Sequence, residues 1–283
     1  MKSVVVTGAS TGIGRGCVTV LVEKGFRVFG SVRKPSDAER LSRELGQNFV
    51  PLVFDVTDAS AVKAGAEVAA SVLGGDPLFG LVNNAGIAVA GPLLYLDVDE
   101  FRHQLEVNVI GQLIVTQAFA PLLKAARNGT PGRIVMISSV GGRNASPFVG
   151  PYNASKFALE GLSESLRREL ILLGIDVIVV APGAVATPIW DKAEEIDVSR
   201  FSNTPYAGAL KAVRDYMLVN GRKGLPPERL GRAVYHALAT PRPRTRYVVT
   251  PDPVQNILFN TLPKRVVDRF IARRLGLEPQ KVS

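Results

Sequence analysis

The chain has 283 residues, 46% hydrophobic and 21% charged, with a net charge of +9 and one cysteine. That balance predicts one soluble α/β domain with a large core, and the lone Cys17 excludes an intrachain disulfide or a thiolate metal site. His103 and His236 stand far apart without neighbouring ligand motifs, so both are read as structural and no metal is expected.

The positive charge is concentrated at one end. Residues 241–283 carry nine Lys and Arg against Asp252, Asp268 and Glu278. No nucleic-acid motif accompanies them, so no nucleic-acid partner is expected. The chain starts almost at once with a strand pattern, which predicts no signal peptide and a cytoplasmic protein. Residues 77–96 lack charge, but Pro77, Gly80, Asn83, Asn84, Gly86, Gly91 and Pro92 make them a buried strand and loop rather than a membrane span.

In chain order, residues 2–7 read as a valine-rich strand. Gly8-Ala9-Ser10-Thr11-Gly12-Ile13-Gly14 follows, then a helical pattern through Val18, Leu21 and Val22. Glycines at a strand-to-helix turn let the backbone approach a pyrophosphate, whose charge the helix N-terminus meets. The spacing is G-x-x-x-G-x-G, not the commoner G-x-G-x-x-G. Residues 26–32 and 49–54 make the next strands, with a helix over 36–45 between them. The second strand ends Ser31-Val32-Arg33-Lys34. An acid there would hold the ribose 2′-hydroxyl of NAD; Arg33 instead suits the extra phosphate of NADP, with Ser31 or Lys34 assisting. Asp55-Val56 closes the third strand ahead of a helix from Asp58. A fourth strand, 79–82, delivers Asn83 and Asn84 to the C-terminal edge of the sheet. Strands alternating with helices imply right-handed crossovers and a doubly wound parallel sheet.

Residues 97–127 are expected to be mostly helical and, uncharged between Glu106 and Lys124, buried on more than one face. A fifth strand, 133–138, ends at Ser138-Ser139. The helix expected over 152–173 opens with Tyr152-Asn153-Ala154-Ser155-Lys156 and stops at Gly174. Its phenol and ammonium share a face at i and i+4, and the cation is expected to lower the phenol from its ordinary pKa of about 10 toward usable acid–base chemistry. After a sixth strand, 176–180, comes Pro182-Gly183-Ala184-Val185-Ala186-Thr187. Residues 189–224 break the strand–helix rhythm and are assigned as a substrate lid, with Trp190, Tyr206 and Met217 as apolar surface. A helix over 226–239 and a strand over 246–249 complete the sheet. In the tail, residues 253–277, Ile257, Leu258, Phe259, Leu262, Val266, Phe270, Ile271 and Leu275 recur among basic residues. One or two amphipathic helices are expected, Pro263 beginning the second and Gly276 ending it. Packing over an apolar pocket near the lid is the expectation; contact with an anionic membrane surface is the alternative.

Thr7 to Gly14, Asn83-Asn84-Ala85-Gly86 and Tyr152-x-x-x-Lys156 stand in the order and at the separations of the short-chain dehydrogenase/reductase family, which this chain resembles over nearly its whole length. The resemblance implies a single-domain Rossmann fold over residues 1–283, with about seven parallel strands, helices on both faces, the lid at 189–224 and a C-terminal helical extension at 251–283. It implies that the tail is similar to that of members acting on retinoids and steroids. Implied cofactor contacts are Gly8, Ser10, Thr11, Gly12, Ile13, Gly14, Arg33, Asp55 at the adenine, Val56, Asn83, Ala85, Gly86, Tyr152 and Lys156. Pro182, Gly183, Val185 and Thr187 would fix the nicotinamide carboxamide. Ser139, thirteen residues before Tyr152, matches the family serine, and Asn108 matches the asparagine that positions a water behind Lys156. The implied activity is NADP(H)-dependent interconversion of an alcohol and a ketone or aldehyde on a small apolar substrate, NAD(H) being the lesser expectation. The expected assembly is a homodimer or homotetramer. An idle NADP(H) sensor is the alternative, against which the complete Ser139, Tyr152, Lys156 set argues.

Overall fold

Apolar runs bounded by turn signals become the seven strands β1 (Ser3–Val6), β2 (Arg27–Val32), β3 (Phe49–Val53), β4 (Gly80–Asn83), β5 (Arg133–Ile137), β6 (Asp176–Pro182) and β7 (Arg246–Val249). The computed structural model describes residues 1–123, 132–194 and 197–277. All strand pairs are parallel, in the order β3-β2-β1-β4-β5-β6-β7. Both faces are covered, which is why the strands read as continuous apolar runs. In β1, Val4 and Val6 join one core cluster while Val5 joins the other, as the two-residue period of a strand requires.

One face is covered by α1 (Gly12–Glu23), α2 (Pro35–Leu45) and α9 (Pro227–Ala239), the other by α3 (Ala59–Leu73), α4 (Val98–Leu105), α5 (Gly111–Phe119) and α6 (Gly150–Glu169). α1 and α9 meet backbone to backbone: a Cβ on Gly231 would lie 2.4 Å from the Gly16 carbonyl oxygen. The order in which strands are added reverses between β1 and β4, so a crevice opens at the C-terminal ends of those strands.

The stretch expected to be mostly helical, residues 97–127, is helical from Val98 to Leu122, with changes of pitch along it. A π turn over Glu106–Ile110 joins α4 to α5, and Ala120–Leu122 tightens to a 3₁₀ turn. Pro121 has no N–H to continue the α-helical ladder; residues 124–127 of that expectation lie outside the described residues. Val98–Leu122 is long and apolar enough to cross a membrane by length and composition, but here its buried amides brace a loop at the site.

The segment expected as a lid contains α7 (Ile189–Glu194) and α8 (Ala207–Arg222), and the tail contains α10 (Pro253–Thr261) and α11 (Lys264–Leu275). They share a third cluster, in which Phe148, Phe201, Leu210 and Val213 are buried and Tyr206, Met217, Leu275 and Leu277 pack against them.

Candidate active site

The crevice is tied shut at its base by Thr7. Its hydroxyl donates to the Val82 carbonyl (3.4 Å) and accepts the N–H groups of Asn84 (2.9 Å) and Ala85 (3.0 Å), joining the ends of β1 and β4. Asn84 Nδ2 donates to the carbonyls of Thr7 (2.8 Å) and Gly8 (3.4 Å). Gly8 and Gly12 adopt left-handed backbone, φ 67° and 57°, which glycine enters without steric cost. A Cβ on Gly14 would lie 2.1 Å from the Gly8 carbonyl oxygen, so only glycine allows the turn to close on α1. Thr11 makes no side-chain cap on α1, and the first turn of that helix has no acid. The positive end of the helix is therefore left to an outside anion, and the turn fits a dinucleotide pyrophosphate. The 182–187 loop comes against it, since a Cβ on Gly12 would meet Thr187 at 3.3 Å.

At the outer corner, Arg33 is two-thirds exposed, with Nη1 4.0 Å from Asp55 Oδ2. Burial opposes the Asp55 charge, but bonds from the Thr57 N–H and hydroxyl, with Arg33 and His103, hold its carboxyl below its ordinary value. Ser31 is not available beside Arg33 in the way its position suggested: it is buried and its hydroxyl accepts the Gly8 N–H at 3.1 Å. Arg40 on α2, not anticipated from its position, donates to the Ser10 carbonyl (3.2 Å). Val56 packs against Gly111. Asn83 turns into the core, donating to Thr116 (2.8 Å), while its neighbour Asn84 braces the turn.

The reactive set sits at the ends of β5 and α6. Ser139 Oγ accepts the Gly141 N–H (3.0 Å), and a Cβ on Gly141 would meet both Ser139 Oγ (3.3 Å) and the Tyr152 ring (3.7 Å). Lys156 Nζ lies 5.7 Å from the centre of the Tyr152 ring and donates to the Ile137 carbonyl at 2.8 Å. Burial pulls the Lys156 ammonium down to about 8, and the Glu160 carboxylate one helical turn away partly offsets it. Burial likewise pushes the Tyr152 phenol up, against the hydrogen bond from Ser139. The expectation that Lys156 lowers the phenol is not met in this structure: burial raises it, and the opposing contribution comes from Ser139.

Behind the set, Arg246 from β7 holds Glu160 through Nε (3.0 Å) and Nη2 (3.1 Å), and Nη2 also reaches the Ser139 carbonyl (3.5 Å). Arg143 Nε lies 3.9 Å from the same carboxylate. On the other side, Asn108 in the π turn accepts the Ile87 N–H (2.8 Å) and donates to the Ile87 carbonyl (3.0 Å) and Ser155 Oγ (3.1 Å). Ser155 in turn donates to the Tyr152 carbonyl (2.7 Å). Asn108 thus reaches the catalytic helix through Ser155. Gln104 and Gln112, one turn to either side of it, bind the Ile87 and Ala85 carbonyls at 2.9 and 2.7 Å. Together these amides hold the loop carrying Ala85 and Gly86. Thr7, Asn84, Gln104, Gln112, Glu160 and Arg246 escaped the reading of single residues; Thr7 and Asn84 could have been found inside the motifs themselves.

On the far side, Pro182 ends β6, the Gly183 N–H donates to Val249 O (2.9 Å), and Val185 O accepts the Trp190 indole (2.7 Å). His103 is exposed on α4 and His236 packs edge-on to Tyr247 at 5.6 Å. The arrangement presents a phenol, a hydroxyl and an ammonium near the crevice at the C-terminal ends of the strands, which suits proton transfer coupled to hydride transfer.

Residues 2–197 match the sequence pattern of the family described as short chain dehydrogenase. The chain is 37% identical over 281 residues, 97% of its length and 98% of the relative's, to the NADPH-dependent 3-dehydrocapnine reductase of Ornithobacterium rhinotracheale. It is 36% identical over 293 residues to Retinol dehydrogenase 5 of Mus musculus, covering 98% of this chain and 90% of that one. A crystal structure of a short-chain dehydrogenase from Streptomyces avermitilis matches with a TM-score of 0.75 at 27% identity, over 98% of this chain and 96% of that one.

Proposed function

This chain belongs to the short-chain dehydrogenase/reductase family, and we propose that it is an NADP(H)-dependent oxidoreductase interconverting an apolar alcohol and its ketone or aldehyde. The observation that carries the reading is the juxtaposition of Ser139, Tyr152 and Lys156 at the mouth of the β1–β4 crevice. A bound nicotinamide dinucleotide would supply or accept the hydride. Tyr152 gives a proton to the substrate oxygen or takes one from it, and Ser139 hydrogen-bonds the same oxygen. Lys156, held by Ile137, places a positive charge beside the phenol and a donor for the cofactor's ribose. Burial raises the phenol, which favours its acid form.

NADP(H) is preferred in this reading because Arg33 stands where an acid would hold the ribose of NAD, and the NADPH-dependent relative supports it over 97% of the chain. We infer an apolar substrate from the apolar side chains of residues 189–224, of which Tyr206 and Met217 pack at the edge of the buried cluster around Phe148 and Phe201. We place the protein in the cytoplasm as a homodimer or homotetramer, with the exposed Ile110 and Phe157 contributing to the covered face.

The test is NADPH oxidation with a panel of apolar ketones and aldehydes, for wild type and Tyr152→Phe. The expected loss in the variant is about 100-fold or more, with cofactor binding intact. Retention of a tenth of the turnover would remove Tyr152 from the chemistry. Cofactor binding with no turnover on any substrate would favour the sensor. Arg33→Asp should shift the ratio of kcat/KM for the two cofactors toward NAD; an unchanged ratio would leave Arg33 a surface charge.

A further inference from the structure

The tail hairpin docks along a narrow line. Val267 is buried, Leu275 and Leu277 pack into the lid cluster, and Asn260 and Lys264 each bond Asn144 at 3.0 Å. Phe259 and Phe270 close the two helices on each other, ring centres 6.0 Å apart. Outside that line the apolar side chains are uncovered. Val254, Ile257, Leu258, Leu262, Val266 and Phe270 are between 39% and 69% exposed. All but Ile257 line a groove of about 700 Å³ between α10 and α11.

The charges are arranged around this surface. Residues 253–277 carry Lys264, Arg265, Arg269, Arg273 and Arg274 against Asp268 alone. Arg265, Arg269 and Arg273 recur every fourth residue and form one stripe of α11, beside the stripe of Val266 and Phe270. Three bands thus run side by side along the helix: a packed face (Val267, Ile271, Leu275), an uncovered apolar band and an arginine band.

We propose that this hairpin seats on an anionic lipid bilayer, its uncovered apolar side chains entering the headgroup boundary and its arginines meeting lipid phosphates. The charge decides between occupants. A second copy would bring the same positive band against itself across a two-fold contact, which repels. A nucleic acid would take the arginines but leave the apolar band in water. An anionic bilayer satisfies both bands at once, because long arginine side chains reach the phosphates while apolar neighbours are buried beneath them. An uncovered apolar patch of this kind marks an interaction surface.

The test sediments the full-length protein with vesicles of phosphatidylcholine alone and of phosphatidylcholine mixed with phosphatidylglycerol. It uses no substrate, so its outcome is separate from that of the proposed activity. Wild type is expected to pellet with the anionic vesicles, less so as salt is added, and not with the neutral ones. Replacing Arg265 and Arg269 by Gln should weaken partitioning by about fivefold for each charge removed. Val254→Ser with Ile257→Ser should weaken it as well; both positions are among the most exposed of the tail, so melting temperatures should stay at the wild-type value. Failure of wild type to pellet with anionic vesicles, or equal pelleting of both variants, overturns the proposal. So does a dimer in sedimentation velocity that the Val254/Ile257 variant dissociates, which would make a second copy the occupant.

Discussion

Lys156 is buried in a place its charge disfavours, and the consequence can be measured. Its ordinary pKa of 10.5 is pulled down to about 8 by burial, so between those values the unfolded chain binds more protons than the native one. Stability should rise with pH through that window: the cost of the buried ammonium is full below about 8 and relieved toward 10.5. Cys17, whose thiol burial pushes up from 9.0 to about 12, works the other way above pH 9. Urea unfolding without added cofactor should therefore show stability contributed by this group rising from pH 8 to 9, and the rise should vanish in Lys156→Met. That variant should also be more stable at pH 7, by up to about 3 kcal/mol, while losing turnover. Glu160 opposes the effect of burial on Lys156. Glu160→Gln should move the Lys156 limb of the kcat/KM pH profile to lower pH, while Glu160→Asp should restore much of it; an unmoved limb in the Gln variant would reduce the Glu160–Arg246 pair to a structural tie.

At the level of elements, the informative feature is the change of pitch within the helix over residues 98–122. Spacing and lack of charge suggested a mostly helical stretch buried on more than one face. The structure places Gln104, Asn108 and Gln112 against the loop after β4, with a π turn at Asn108. In sequence, three amides four residues apart are indistinguishable from a polar helix face. Their purpose depends on a loop whose N–H and C=O groups have no strand partner and must be satisfied by side chains. Asn108→Leu keeps the approximate volume but strips the Ile87 N–H of its acceptor, while Gln104 still donates to the Ile87 carbonyl. At about 1–3 kcal/mol for one orphaned N–H, the variant should lose about 1–3 kcal/mol in urea unfolding. A loss below about 1 kcal/mol would show that the loop finds other partners.

Across the whole molecule, the tail is where packing and charge compete. The expectation was that its apolar side chains would be buried over the pocket. Among the described tail residues only Val267 is buried, because α11 touches the body along a line narrower than the helix's apolar arc. The contacts of Leu275 and Leu277 with the lid cluster still make the tail part of the lid's support. Deleting residues after Asp252 should lower the melting temperature, since burying even one side chain such as Val267 contributes about 1.5–3 kcal/mol. It should also raise KM for bulky apolar carbonyl compounds more than for small ones. An unchanged melting temperature and substrate ranking would show that the lid stands without the tail.

The sequence by itself determined the parallel α/β sheet, the glycine turn, and the order of Ser139, Tyr152 and Lys156, because these rest on local periodicity and fixed short spacings. Only the tertiary structure decided that burial raises the Tyr152 phenol, that Ser31 holds Gly8, that Asn84 and Thr7 lock the crevice, and that Arg246 comes from β7 to grip Glu160. Those outcomes depend on desolvation and on partners up to 86 residues apart, and neither is encoded in the spacing of neighbours along the chain.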